Sequence, residues 1–262
     1  MGKLFTALGL MSGTSGDGVD ASIISSDGAN QYSETINEYF KYDQKIYENL
    51  HKLRDKIVKL EDLQKNENEI NIFEKEITLF HAKVVSKILR TIDQKVDFIG
   101  FHGQTIYHNS LEKISKQIGD GNLLSQLTKK TVVYDFRQND IKNGGEGAPL
   151  VPVFHRLIAK QKKIELPVCI LNIGGITNVT VINEYDKNSF LSRDLGPGNC
   201  LLDEWIRKNT ESKFDYKGEI AIKGKIDESI LNQALDNFDN RPNQNTLSFD
   251  TKDFNLGFVR GL

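Results

Sequence analysis

Residues 4–25 read LFTALGLMSGTSGDGVDASIIS. Leu4 to Met11 is a short apolar run, Ser12 to Gly18 a loop of small residues, and Val19 to Ser25 a second β-rich run, so the stretch spells strand, turn, strand. The loop glycines let a ligand approach the backbone, and Thr14 and Ser15 offer hydroxyl donors. Such a loop suits phosphate, and Asp17 is placed to hold Mg2+ directly or through water beside it. The GK[ST] ending of a Walker loop is absent, and no helix follows as a dinucleotide fingerprint requires. Taken alone, the loop reads equally well as an ordinary hairpin of turn-favouring residues.

A second unit of the same kind lies at Cys169 to Ile182, where Asn172-Ile173-Gly174-Gly175-Ile176-Thr177-Asn178 again sets glycine, hydroxyl and amide between apolar runs. Two such hairpins in one chain suggest two related half-folds that hold a nucleotide's phosphates between their turns. Gly196-Pro197-Gly198-Asn199 then opens a helix expected over Leu201 to Lys208 and would add a third set of backbone amides. Its plainer reading is a helix N-cap by Asn199.

Between the hairpins, Tyr32 to Phe40 reads as a third strand. Lys45 to Arg90 reads as two amphipathic helices, marked by Ile46, Leu50, Leu53, Ile57 and Leu60 and then Ile70, Phe73, Ile77, Val84 and Ile88, with Gln64 to Glu69 as a solvated connection. Val96 to Phe101 and Thr131 to Tyr134 read as buried strands ending at polar clusters, His102-Gly103-Gln104-Thr105 and Asp135-Phe136-Arg137. The carboxyl ends of strands are where open α/β sheets gather ligands. Val151 to Lys160 reads as helix, and Val168 to Ile173 and Val179 to Asn183 as strands. Asn143-Gly144-Gly145-Glu146-Gly147 reads as a flexible joint. It divides an N-terminal domain, residues 1–134, from a second domain, residues 135–262.

The chain of 262 residues is long enough for a substantial core, and its 38% hydrophobic and 27% charged residues fit a globular protein. A net charge of -2, with lysines mixed among carboxylates, argues against a nucleic-acid binder. Cys169 and Cys200 form no CxxC or His-rich spacing, which supports neither a disulfide framework nor a zinc site and points to reduced cytoplasm. No apolar run approaches the ~18 residues of a membrane span, so no membrane partner is expected.

The strings GLMSGTSGDGVD, FHGQTIYH, QIGDGN, DFRQNDIKNGGEGAPLVPVFH, LNIGGITNVT and DLGPGNCLLDEW, from Gly9 to Trp205, resemble in the same order the motif series of the anhydro-N-acetylmuramic acid kinase family. The resemblance implies an α/β, actin-like (ribonuclease H-like) two-domain sugar kinase fold that uses ATP and Mg2+ on a small-molecule amino sugar in peptidoglycan recycling. It implies that Gly13, Thr14, Ser15, Gly16, Asp17, Gly18, Val19 and Asp20 form the first ATP phosphate loop. Asn172, Gly174, Gly175 and Asn178 match the second, and Gly196, Gly198 and Asn199 a later loop lining the cleft. Asp135 falls on the family's catalytic aspartate, and His102, Gln104, Thr105, Arg137 and Glu146 fall on the sugar side. For His102 and Arg137 the plainer readings are a hydrogen-bonded strand-end histidine and an ion pair with Asp135.

Three departures from the family are expected to matter. Residues 245–251 carry no Lys or Arg where relatives have basic residues, so a sugar-carboxylate or structural contact is expected to be missing. Gly16 replaces a larger apolar residue, which should loosen the loop. Relatives continue past Leu262, so the second domain is expected to be incomplete, with a homodimer or a completing partner chain restoring it. The competing readings are a nucleotide- or amino-sugar-binding module without turnover, and an actin-like ATPase with a protein client.

Overall fold

The computed structural model describes residues 2–185, 190–239 and 248–258. It is an α/β protein of two compact units, Met1–Ile164 and Glu165–Leu262. The division falls after the expected joint, and residues 143–147 are not a free hinge. Gly147 N–H donates to Asp140 Oδ2 (2.8 Å) and Gly145 N–H to Asp140 O (2.9 Å), which ties the segment back to the preceding helix. Residues 135–164 therefore belong with the first unit.

In the first unit β1 (Phe5–Ser12), β2 (Gly18–Ser26) and β3 (Tyr32–Lys41) form an antiparallel meander. Alternation sets one face of β1 and β2 inward, with Leu8, Leu10, Val19, Ala21 and Ile23 buried. Three helices follow where two were expected: α1 (Gln44–Lys56), the short α2 (Leu60–Lys65) and α3 (Glu67–Arg90). Asp43 caps α1 by accepting Ile46 N–H at 2.8 Å. The expected connection over Gln64 to Glu69 is mostly helical and breaks only at Asn66. Leu50, Leu53, Ile77, Val84, Val85 and Ile88 of α1 and α3 close the same core as the strands.

The next strand, β4 (Phe98–Asn109), runs past Phe101 through the whole FHGQTIYH string. Its first half pairs in parallel with β1 on one side and with a later strand on the other. Its second half pairs antiparallel with β5 (Ile114–Ile118), across a register shift between Thr105 and Tyr107. Then come α4 (Gly121–Thr128), β6 (Thr131–Tyr134), α5 (Phe136–Lys142) and α6 (Pro152–Gln161). The expected polar cluster 102–105 is thus a strand interior rather than a loop.

The second unit holds an antiparallel sheet of β7 (Val168–Ile173), β8 (Ile176–Ile182) and β9 (Phe190–Pro197), followed by α7 (Cys200–Asn209) and α8 (Glu228–Asp239). Residues 248–258 pack within this unit, with Phe249 and Phe254 buried and their rings 5.4 Å apart. Positions 245–247 of the segment lacking basic residues lie outside the described residues. Among the described residues no helix is long and apolar enough to cross a membrane.

Candidate functional site

Register places the key residues of the first unit in one row. Leu10 of β1 pairs with Phe101 of β4, and Phe101 pairs with Tyr134 of β6. All three strands run parallel, so their chains emerge at the same carboxyl edge, the loop from Ser12, His102 within β4, and Asp135 after β6. With strands ~4.8 Å apart, β1 and β6 stand roughly 10 Å from each other.

The loop after β1 is fixed through its carbonyls. Gly13 O accepts Gln104 Nε2–H (2.9 Å) and Gly16 N–H (3.1 Å), Thr14 O accepts Arg54 Nη1–H (2.5 Å), and Asp17 O accepts Tyr42 N–H (2.9 Å). With these carbonyls and the Gly16 amide engaged within the protein, the Thr14 and Ser15 amides are the loop donors an anion could meet. Arg54 adds a positive charge beneath it. The loop is therefore not loosened by Gly16, whose φ of +65° suits glycine and whose missing Cβ would sit 2.7 Å from Leu50 Cδ2.

The loop glycines fall into two classes. A Cβ on Gly18 would lie 2.5 Å from Phe40 O, so close packing of the fold requires glycine there. Gly13 has no such reason, because its Cβ would meet only Ser15 Oγ, at 3.6 Å, and its φ lies outside the left-handed range. Gly174 of the second unit is alike, with Ile176 O at 3.6 Å and Asn172 Nδ2 at 3.7 Å. Gly13 and Gly174 thus keep open space next to the backbone that the fold does not use. Val19 is fully buried in the core and supports the loop from behind.

The acidic pair beside the loop fits a hard cation. Asp17 accepts Ser15 Oγ–H at 2.5 Å and a hydrogen bond from the Tyr39 hydroxyl. Burial, and secondly the Asp17 charge, raise the Asp20 carboxyl above its ordinary range. Two neighbouring carboxylates at a phosphate loop are the donor set Mg2+ takes alongside phosphate oxygens and water. Among the described residues no cluster of three or more His, Cys, Asp or Glu could hold a metal by itself.

Asp135 adopts φ 60°, ψ 42°, a left-handed conformation that Asp tolerates better than most residues. Its side chain is exposed, does not cap α5, and makes no hydrogen bond or ion pair with a described residue. A carboxylate held in a strained backbone with no structural work of its own is a candidate for chemistry. Arg137 turns instead to His102, its Nε–H donating to His102 Nε2 at 3.2 Å, while His102 Nδ1–H donates to Gly103 O at 2.8 Å. Accepting from Arg137 requires an unprotonated Nε2, so the two contacts together fix the neutral ring with its proton on Nδ1. Burial, and secondly the Arg137 guanidinium, hold the His102 pKa at about 4.

Other expected residues sit elsewhere. Gln104 is fully buried and spends its amide on Gly13 O, and Thr105 is buried with its Oγ1 accepting Gln117 Nε2–H at 3.1 Å. Both side chains are hydrogen-bonded within the protein. Glu146 is half-buried in the segment tied to α5.

In the second unit the two glycine motifs are knit together. Gly198 N–H and Cys200 N–H donate to Gly175 O (2.9 and 3.2 Å), Asn199 N–H to Gly174 O (2.8 Å), and Asn199 Nδ2–H to Ile173 O (3.3 Å). The first amides of α7 are therefore spent on the hairpin, and the expected third set of anion-binding amides is absent at these three positions. A Cβ on Gly198 would lie 2.3 Å from Gly174 O, and one on Gly196 2.7 Å from Phe238, so these glycines serve packing. Asn172 and Asn178 face one another across β7 and β8 beside the turn.

Sequence reasoning missed Tyr42, Arg54 and His81, which hold the first loop, and Asp194, a buried β9 carboxylate that accepts Phe249 N–H at 2.8 Å. His81 was detectable, because Ile77, His81, Val84 and Ile88 share one helical face. Burial holds its pKa at about 4. Since unfolded histidine titrates near 6.5, the unfolded chain binds protons first as pH falls. His81 and His102 therefore contribute stability above about pH 6.5 that is lost as pH drops toward 4. The urea midpoint is expected to fall across that window and to fall less in His81→Gln, and a midpoint flat between these limits would contradict the assignment.

A family model described as anhydro-N-acetylmuramic acid kinase matches residues 5–260. The chain is 60% identical over 262 residues to an anhydro-N-acetylmuramic acid kinase of Pelagibacter ubique, covering all of this chain and 70% of the relative. It is 37% identical over 235 residues to one of Rhodopseudomonas palustris, covering 88% of this chain and 64% of the relative. It is also 37% identical over 241 residues to one of Agrobacterium fabrum, covering 90% of this chain and 64% of that relative. A solved Aquifex aeolicus PPX-GPPA enzyme overlaps 96% of this chain and 75% of its own at 10% identity, with a TM-score of 0.32 too low to bear on the fold. The match over nearly the whole chain establishes that the chain belongs to the anhydro-N-acetylmuramic acid kinase family.

Proposed function

We propose that the protein is an ATP-dependent kinase that hydrolytically opens anhydro-N-acetylmuramic acid and phosphorylates it to N-acetylmuramic acid 6-phosphate, in cytoplasmic peptidoglycan recycling. The observation that carries the reading is the shared carboxyl edge of β1, β4 and β6, where the loop that begins at Gly13 and Asp135 leave strands that stand about 10 Å apart. Each unit presents a glycine turn with open space beside its backbone, at Gly13 and at Gly174, which supports an actin-like reading of the chain and a phosphate-receiving role for each turn.

In this reading the anhydro sugar's internal acetal dictates the chemistry. Asp135 accepts a proton from water, the water oxygen bonds to the anomeric carbon, and the bridge bond to that carbon breaks. The oxygen released at the other end of the bridge attacks the γ-phosphorus of ATP, and ADP leaves. One carboxylate serves as base for the coupled steps, and among the described residues no hydrogen bond or ion pair competes for it. Loop amides of Thr14 and Ser15 and the Arg54 charge oppose the negative charge on the phosphates. His102 and Arg137, locked together in the neutral tautomer, line the same edge as positioners of the sugar. Asp17 and Asp20 would hold Mg2+, which supplies further charge neutralisation to the transferred group.

The test is ADP formation by the protein with ATP and Mg2+, measured with and without anhydro-N-acetylmuramic acid. ADP release that depends on the sugar is expected. ATP hydrolysis unaffected by the sugar would replace this reading with an ATPase, and ATP binding without turnover would replace it with a binding module.

A further inference from the structure

Beneath the first loop lies a buried polar chain that the chemistry above does not use. Ser12 ends β1 immediately before Gly13, and its Oγ lies 3.0 Å from His81 Nε2 and 3.0 Å from the Tyr42 hydroxyl. His81 Nδ1 lies 2.8 Å from Ile77 O. A carbonyl only accepts, so Nδ1 carries the proton and Nε2 must accept from Ser12. Ser12, having donated to His81, in turn accepts from Tyr42. The chain therefore runs one way, from Tyr42 to Ser12 to His81 to the α3 backbone. Ser12, Tyr42 and His81 are each 3% exposed or less.

Tyr42 grips the loop at both ends, with its backbone N–H on Asp17 O and its hydroxyl on Ser12. Gln104, whose amide holds Gly13 O, lies against the same hydroxyl at 3.5 Å. His81 terminates this network, and its ring is wedged against Phe101, with centroids 4.9 Å apart, so the acceptor cannot wander. Alternatives for a buried polar chain are few, since an unmet donor here would carry the full cost of desolvation.

We propose that His81 is a positioning residue for the nucleotide, acting through Ser12 and Tyr42 to hold the Gly13–Asp17 loop in its phosphate-receiving shape. This rests on the reading of that loop as a phosphate site. It assigns His81 no contact with ATP or sugar. Its main effect is expected on ATP, because the hydrogen bonds of the His102–Arg137 pair do not involve Ser12, Tyr42 or His81.

The test is steady-state kinetics on His81→Leu, Ser12→Ala, their double variant, His81→Gln and Gly13→Val, with thermal midpoints recorded. His81→Leu and Ser12→Ala are each expected to raise KM for ATP about tenfold, with kcat and the sugar KM changed less than about twofold, the loss expected of one neutral hydrogen bond. The double variant should lose no more than either alone. His81→Gln, which retains an acceptor, should recover most of the loss. Effects that multiply toward a hundredfold, equal rises in both KM values, or a lowered midpoint with unchanged KM for ATP would each overturn the proposal. Gly13→Val separates the two claims. If it leaves ATP untouched, the loop reading itself fails, whereas if it weakens ATP while His81→Leu and Ser12→Ala do not, only the role of His81 fails.

Discussion

Asp135→Asn is expected to lower kcat by roughly 10²–10⁴-fold, the usual contribution of a general base, while the sugar KM changes little. Asparagine is the informative replacement for a backbone reason. Asp135 sits at φ 60°, ψ 42°, which asparagine also accepts, so the change removes a proton acceptor without moving the strand end. Alanine there would add backbone strain of about 1–2 kcal/mol and confuse chemistry with folding. Because the carboxylate makes no hydrogen bond or ion pair with a described residue, its loss should leave the thermal midpoint near that of the parent. Turnover close to the parent rate would remove Asp135 from the mechanism.

The second large effect is expected on ATP. Gly13→Val and Gly174→Val should each weaken ATP by about ten- to a hundredfold, since a branched side chain fills the space through which phosphate meets the backbone and removes charge-assisted hydrogen bonds of about 1.5–3 kcal/mol. Sugar affinity should be nearly unchanged. The fold gives no reason for misfolding at the first substituent carbon, whose nearest neighbours stand 3.6 Å away at both positions. Gly198 is the contrast, because a Cβ would strike Gly174 O at 2.3 Å and Gly198→Ala should lower stability with or without ATP. Calorimetric titration of each ligand separately reads the difference. Equal losses of ATP and sugar in the Gly13 and Gly174 variants would mark a folding defect and remove the phosphate assignment.

The parts of the protein that follow simple periods were legible in its sequence. Alternation and turn chemistry placed β1, β2, β3, β6 and β7 within a residue or two, and helical spacing located the apolar faces of α1 and α3. Competing signals hid the rest. Glycine at 103, with φ 72°, and polar residues on both sides made the middle of β4 look like a loop, although Gln104 and Thr105 are buried and hydrogen-bonded in a sheet. Strand β9 was overlooked because its end is rich in the Gly and Pro of a turn. The glycine-rich segment after α5 looked flexible because the carboxylate that ties it, Asp140, lies earlier in the chain.

The site was legible as motifs and not as contacts. Sequence marked the loop and Asp135 but had no means of showing that Arg54, Tyr42 and His81 hold the loop, since they lie 40, 28 and 67 residues from Thr14 along the chain. Nor could it show which amides remain available. Gly198 and Asn199 looked like anion donors until the structure showed their N–H groups bound to Gly175 and Gly174. A spacing can nominate a donor, but only the hydrogen-bond inventory shows whether it is already used.

The coupling of acetal opening to phosphoryl transfer is read most directly from the mass of the sugar product after reaction with ATP and Mg2+. A product heavier than the anhydro sugar by one phosphoryl group and one water, formed in equal amount to ADP, is expected. A product heavier by the phosphoryl group alone, with the anhydro bridge intact, would contradict it.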